Sequence, residues 1–330
     1  MEARHLRYAL ALAEHQHFGR AAASLGIAQP PLSAQIAALE REVGERLFDR
    51  TSRGVFPTAA GTAFLDRARR ALAEMSGAVT DAGRAARGES GRLRMGFIGS
   101  ALLAPLPGVL GRFQRSRPDV RLDLREMGSP DGVAALIAGE LDVAVGRGAP
   151  RGAGAEGLVT APIGADHLIA VVASTHPFAG RAEVGLDQLV TETLVVAPGD
   201  QEPAVSSWLR SLFGSASSPL DRAASARDIH TIIGLAACGV GVGLGPDRMR
   251  LLRRDDVWFC DVTPQVRLPD LQLSFRAADR SPVLAAFLDV VRANCREVGS
   301  RLDEVLARHP AACSEGVSPA AAVPSPAGAR

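Results

Sequence analysis

The sequence predicts an α/β protein in three successive parts, and three observations predict it. Short helical patterns with tight breaks fill residues 1–57, one long helical pattern runs through 58–90, and from Arg92 onward short apolar runs alternate with helix-period segments. The apolar runs are RLRMGFIG, VRLDLREM, LDVAVGRG, HLIAVVAS, TLVVAP and VGVGLGP. Strands alternating with helices imply a parallel sheet with helices on its faces.

A chain of 330 residues holds two or three domains, and 47% hydrophobic with 22% charged residues is ordinary globular composition. The net charge of +1 gives no global nucleic-acid signal, so any such contact has to come from a local patch. Every basic residue is Arg, which reads as the mark of a GC-rich genome rather than of a mechanism. Cys238, Cys260, Cys295 and Cys313 are scattered, with no CxxC pair and no His at ligand spacing. Free thiols in a reducing cytoplasm are therefore expected, without disulfides or zinc. The start MEARHLRYAL lacks the basic-then-apolar order of a signal peptide, and no apolar run reaches membrane-spanning length.

In the first part, Leu6, Leu10 and Ala13 line one side of a first helix. His17 and Phe18 open a second, with Ala21, Ala22 and Leu25 inward and Gly26 ending it. A third starts near Pro30, a residue favoured in a first turn, and carries the stripe Leu32, Ile36, Leu39, Val43. Two short helices around a tight Gly-containing turn suggest a helix-turn-helix, although periodicity alone leaves any small three-helix bundle open. The turn LFDRTSRGVFP reads as a two-strand wing.

The stretch FGRAAASLGIAQPPLSAQIAALEREVGERLFDRTSRGVFPTAAG resembles the LysR-type transcriptional regulators. The Ala pair in the second helix, AQPPLSAQI opening the third, LFxR (Leu47, Phe48, Arg50) and TxAG (Thr58 to Gly61) fall in the family's order and spacing, and the resemblance runs to about residue 296. The order of motifs in the α/β part resembles members governing aromatic-compound catabolism. The resemblance implies a winged helix-turn-helix over 1–57 that binds double-stranded DNA. Gln29, Pro30, Pro31, Ser33, Ala34 and Gln35 would stand at the reading helix start, where free N–H groups and short polar side chains meet phosphates and base edges. Arg20 and Arg53 are placed as phosphate or minor-groove contacts, with a solvated surface charge as the alternative for each. Arg50 is expected to serve more as a structural ion-pair partner. Family members often carry Arg where this chain has Ala34, so one bidentate guanine contact is missing.

Thr58 is a good N-cap for the long helix, and Leu65, Ala68, Leu72, Met75, Val79, Ala82 and Ala86 alternate by threes and fours like a coiled-coil seam. Residues 58–90 are thus expected to dimerise the chain, and by the resemblance to build a homotetramer as a dimer of dimers.

The α/β part, 91–300, is expected to bind a small-molecule effector. Ligands of such sheets bind at the carboxyl ends of strands. Three such ends carry polar loops: Ile98-Gly99-Ser100, Gly128-Ser129-Pro130 and Asp200-Gln201-Glu202-Pro203. The family's sensor resembles periplasmic solute-binding proteins, and that likeness makes Ser100, Ser129, Gln201 and Pro203 candidates in a cleft between two subdomains, 91–163 with 267–296 and 164–266. Ser hydroxyls beside helix N–H groups suit an aromatic or dicarboxylic acid, whereas Asp200 and Glu202 count against a strongly anionic ligand. Ser100 could also be a plain helix N-cap. The run Gly239, Gly241, Gly243, Gly245 follows a helical pattern instead of preceding one, which argues against a dinucleotide loop. No Ser-His-Asp, HExxH or Walker pattern is present, so neither enzyme activity nor a cofactor is expected. Residues 301–330, rich in Ala, Pro and Ser, are expected to stay disordered.

Overall fold

The computed structural model describes residues 1–214, 218–295 and 304–305, so the expectation for the tail falls almost wholly outside the described residues. The chain divides into two compact units, Met1–Arg84 and Ala85–Arg330.

In the first unit, α1 (Ala3–His15), α2 (Phe18–Ser24) and α3 (Gln29–Val43) precede an antiparallel hairpin of β1 (Phe48–Thr51) and β2 (Gly54–Pro57). His17 caps α2, its Nδ1 accepting the Gly19 N–H at 3.0 Å. Leu12, Leu32, Ile36, Leu39, Leu47 and Phe48 form an apolar core. Val43, expected to face inward, is 39% exposed, because α3 outruns the two helices that cover it. Glu40 fixes the path into the hairpin by accepting the N–H groups of Leu47 (2.8 Å) and Phe48 (3.0 Å).

Helix α4 (Ala59–Ala86) spans about 42 Å at 1.5 Å per residue. Thr58 caps it, accepting the Gly61 N–H at 2.9 Å and donating to the Arg46 carbonyl at 2.7 Å. Gly61 is required there: a Cβ would sit 1.9 Å from the Leu47 carbonyl oxygen. The expected seven-position seam divides in two. Leu65 and Ala68 are each 3% exposed and Leu65 belongs to the core of its own unit, whereas Met75 and Val79 are 52% and 75% exposed. The free seam therefore starts near Leu72.

The second unit runs β3 (Ser90–Phe97), α5 (Leu106–Ser116), β4 (Asp119–Glu126), α6 (Ser129–Ile137), β5 (Val143–Arg147) and β6 (Leu158–Gly164). It continues with β7 (Leu168–Ala173), β8 (Glu183–Gly185), α7 (Leu186–Leu189), β9 (Leu194–Val196), α8 (Pro203–Phe213), β10 (Ala224–Ser225), α9 (Ile229–Ala237), β11 (Val242–Pro246) and β12 (Val257–Thr263), then β13 (Leu271–Arg276) and α10 (Pro282–Asn294). Among the described residues these strands form two sheets, ordered β4-β3-β5-β13-β6 and β10-β9-β11-β7-β12-β8.

Neither sheet is purely parallel, which corrects the expectation. β3 pairs in parallel with β4 and β5, but β13 runs antiparallel to β5 and β6, and β7 antiparallel to β11 and β12. The strands responsible follow hinge crossings or loops rather than helices, so no right-handed crossover sets their direction. β6 carries Pro162 and lies at a sheet edge, where a missing N–H is tolerated. The first sheet packs on α5 and α10, whose Phe113 and Phe287 meet edge to face at 5.3 Å. The second is covered on both faces by separate apolar clusters.

Candidate functional site

The first candidate site lies on α2, α3 and the hairpin. Gln29, Pro30, Pro31 and Ala34 are exposed, and Ser33 and Gln35 are half-buried on the same helix start. The expected supply of helix N–H groups is smaller than foreseen. A helix leaves about four N–H groups unpaired at its start, and here Pro30 and Pro31 remove two of them while the cap residue, Ala28, adds no side-chain bond. Side chains and the wing must therefore do more of the contacting. Gln35 accepts a hydrogen bond at 2.8 Å from His5 Nε2, since His5 Nδ1 already accepts the Glu2 N–H, and its amide NH2 stays available. Arg20 donates through its terminal Nη2 to the His15 carbonyl at 2.8 Å, which ties the tip of its side chain to the end of α1. Arg50 departs from expectation: its guanidinium stacks over the Phe18 ring, 4.8 Å from the centroid, rather than forming an ion pair. Arg53 sits exposed at the wing tip, its backbone held by the Thr51 hydroxyl at 3.2 Å.

The second candidate site lies in the second unit, between the two sheets. A cavity of about 90 Å³ is walled by Leu168, Val196, Leu209, Ile232, Leu244 and Leu268, with Ser100, Arg147, Glu202, Arg227 and Asp228 as its polar lining. Ser100 lies in the short turn Gly99–Leu102 after β3, and no side-chain cap bond is made there, so the capping role is not what it does. A neighbouring cavity of about 150 Å³ is lined by Phe97, Met127, Ser129, Arg147, Pro203 and Gln272 among others. Ser100 and Ser129 are thus parted, one to each cavity. Gln201 contributes its backbone, whose carbonyl accepts the Ser129 N–H at 3.1 Å.

The Ser129 hydroxyl, expected to be open to a ligand, is engaged: it donates to Glu202 (2.8 and 3.0 Å) and accepts the Arg147 N–H at 3.0 Å. Burial pushes the Glu202 carboxyl up to about 6, against the opposing pull of Ser129 and Arg147.

Beneath the cavities the chain crosses twice between the sheets, through Gly164–Leu168 and Val266–Leu271. The crossings pair through Leu168 N–H to Val266 (2.9 Å) and Leu268 N–H to Asp166 (3.0 Å). Asp166 is 1% exposed and holds two arginines, Arg147 and Arg248, the latter at 2.6 Å. Arg147 also donates to the Pro269 carbonyl at 2.9 Å, and Arg248 to the carbonyls of Ala104 and Ala165. One buried carboxylate thereby ties both sheets to both crossings. Arg147, Asp166 and Arg248 were not expected from the sequence; the signals were a charged end to the apolar run LDVAVGR and a lone Asp between two strand patterns.

Residues 3–62 match the family described as "Bacterial regulatory helix-turn-helix protein, lysR family", and residues 86–296 match "LysR substrate binding domain". The chain belongs to the LysR family. It is similar to the regulator TfdS of Cupriavidus pinatubonensis, 36% identical over 293 residues that cover 88% of this chain and 98% of that one. It is also similar to ClcR of Pseudomonas putida, 31% identical over 291 residues covering 88% of this chain and 98% of that one. Among solved structures, full-length CbnR complexed with its target DNA superposes with a TM-score of 0.77 at 29% identity, covering 89% of this chain and all of that one. This LysR-type chain is therefore a transcriptional regulator with an effector-binding domain, not an enzyme. Among the described residues, no helix is long and apolar enough to cross a membrane.

Proposed function

We propose that residues 1–57 bind an operator duplex with α3 in the major groove and the β1–β2 wing beside it. Gln29, Pro30, Pro31, Ser33, Ala34 and Gln35 form the groove surface, Arg20 and Arg53 contact phosphates, and Arg50 braces the wing against α2. Two copies pair along α4 within 58–90 through Leu72, Met75, Val79 and Ala82, and pairs assemble into a cytoplasmic homotetramer. Residues 91–300 sense the effector between subdomain 91–163 with 267–296 and subdomain 164–266, and its binding shifts the spacing of the DNA-bound pairs.

The effector is a small aromatic or dicarboxylic acid, contacted by Ser100, Ser129, Gln201 and Pro203. The observation that carries this reading is the small cavity between the sheets, whose aliphatic walls suit a planar apolar body while Ser100 and Arg227 supply a hydroxyl and a cation for a carboxylate. Glu202 on the same lining opposes a second carboxylate, which favours the aromatic acid over the dicarboxylic one. A thermal-shift screen of the full chain against small aromatic acids and their ring-cleavage products tests it. A shift of several degrees with an aromatic acid supports the reading, and a screen in which none of these acids shifts the transition overturns it.

A further inference from the structure

Ser129 stands at the start of α6, on the first sheet, and Glu202 just before α8, on the second. The Ser129 hydroxyl carries one proton, given to the Glu202 carboxylate, and takes one backbone N–H, from Arg147. The loop that brings Glu202 there is packed hard against α6. A Cβ on Gly128 would lie 3.1 Å from the Gln201 carbonyl oxygen and 3.3 Å from Gln201 Cα, so a side chain there would press the two segments a few tenths of an ångström apart. Ser129 faces the cavity of about 150 Å³, Glu202 faces the one of about 90 Å³, and Arg147 borders both. The Ser129–Glu202 contact is thus the partition between them.

We propose that Glu202 is a built-in occupant of the effector cleft: its carboxylate takes the Ser129 hydroxyl that an acidic effector would otherwise take, and an acid enters by displacing it. This inference rests on the reading that the cleft binds an acid, and it names the residue that sets which acids succeed.

The charges around Glu202 explain why displacement is needed. Arg147 is already paired with Asp166, so its guanidinium cannot neutralise both Glu202 and an incoming anion. Arg227 and Asp228, from the start of α9, line the same cavity with opposite signs. Two carboxylates side by side in so small a space repel, and one must leave or take a proton. Burial has already made proton uptake by Glu202 easy near neutral pH. Once Glu202 swings away, the two cavities join, and a ligand longer than the smaller one can extend toward Met127 and Gln272. A neutral ligand of the smaller cavity needs no such displacement.

The test uses the full chain as Glu202→Ala and Glu202→Gln, with sodium acetate as a bare carboxylate probe and benzoate as an aromatic one. Calorimetry at pH 7 should show acetate binding Glu202→Ala at least tenfold more tightly than the parent. Glu202→Gln, which keeps the shape and a hydrogen-bonding group, should gain less. Adding Ser129→Ala to Glu202→Ala should abolish the gain, since the vacated hydroxyl is what the probe takes. Equal acetate affinity in parent and Glu202→Ala overturns the proposal, and so does a gain that survives loss of the Ser129 hydroxyl. If the acetate gain appears but benzoate binds neither protein, Glu202 stands as the occupant and the aromatic-acid reading falls.

Discussion

The two units of this chain place their function in opposite locations. In Met1–Arg84 the core is apolar throughout and every candidate contact, from Gln29 to Arg53, stands on the surface around it. In the second unit the working parts are inside: Asp166 between two arginines, and Glu202 against Ser129. Packing and function are separable in the first and inseparable in the second. A surface substitution in the DNA-binding unit should alter binding and spare the fold, whereas in the sensor the same residues hold the sheets together and define the cleft.

The largest effect should come from the hinge. Asp166→Ala leaves Arg147 and Arg248 buried without their counter-charge, which costs about 3–5 kcal/mol. Urea titration of the full chain should show the sensor transition moving to much lower denaturant while the DNA-binding unit's transition stays. Unchanged sensor stability would mean the triad carries no weight.

The division within α4 gives the next contrast. Leu65→Ala creates a cavity in a packed core and should cost about 2–5 kcal/mol, seen as a lower melting temperature of the DNA-binding unit. Val79→Asp lies on the free part of the seam and should leave that melting temperature alone while halving the mass seen by light scattering. Equal behaviour of the two variants would erase the distinction between the two halves of the helix.

Ser33→Asp, which sets a negative charge against the duplex, should weaken operator binding at least tenfold, about 1.4 kcal/mol, in a gel shift at fixed salt. Ala34→Arg should change sequence preference as well as affinity. If both variants bind like the parent, α3 is not in the groove.

The smallest effect is a pH dependence from the sensor interior. Glu202 is raised from 4.5 to about 6, so the folded chain holds that proton more tightly than the unfolded one. Its contribution to stability is greatest below pH 4.5 and declines as pH rises through 6, by on the order of 1 kcal/mol for a half-buried group. The melting temperature of the parent should therefore fall relative to Glu202→Gln between pH 4.5 and 7. A difference that stays constant with pH would contradict the assignment.

How much of this was legible in the sequence follows the same contrast. Helices α1 to α3, the wing and the Thr58 cap announce themselves, because local periodicity, capping and turn chemistry decide them. What failed there was second-order: Val43 lies beyond its covering helices, Arg50 finds the Phe18 ring, and two prolines withdraw the N–H groups a helix start usually offers. In the sensor, strands flanked by helices were readable, but β6, β12 and β13 were not, since no α-helix comes directly before them to mark a strand–helix unit. Ser100 and Ser129 look alike in sequence, each ending a strand. Only the fold reveals that Glu202, 73 residues away, already occupies one of them.

Whether an acid in the sensor controls the DNA-binding unit is decided by one titration. A duplex selected in vitro by the full chain is held at fixed salt while benzoate is added, and fluorescence anisotropy follows the complex of the parent and of Ser100→Ala. Removing one hydrogen bond of about 0.5–3 kcal/mol should move the benzoate midpoint to several-fold to about a hundredfold higher concentration. Affinity for the duplex without benzoate should remain near the parent's. Identical midpoints, or a Ser100→Ala protein that binds the duplex poorly before any benzoate is added, would contradict the account.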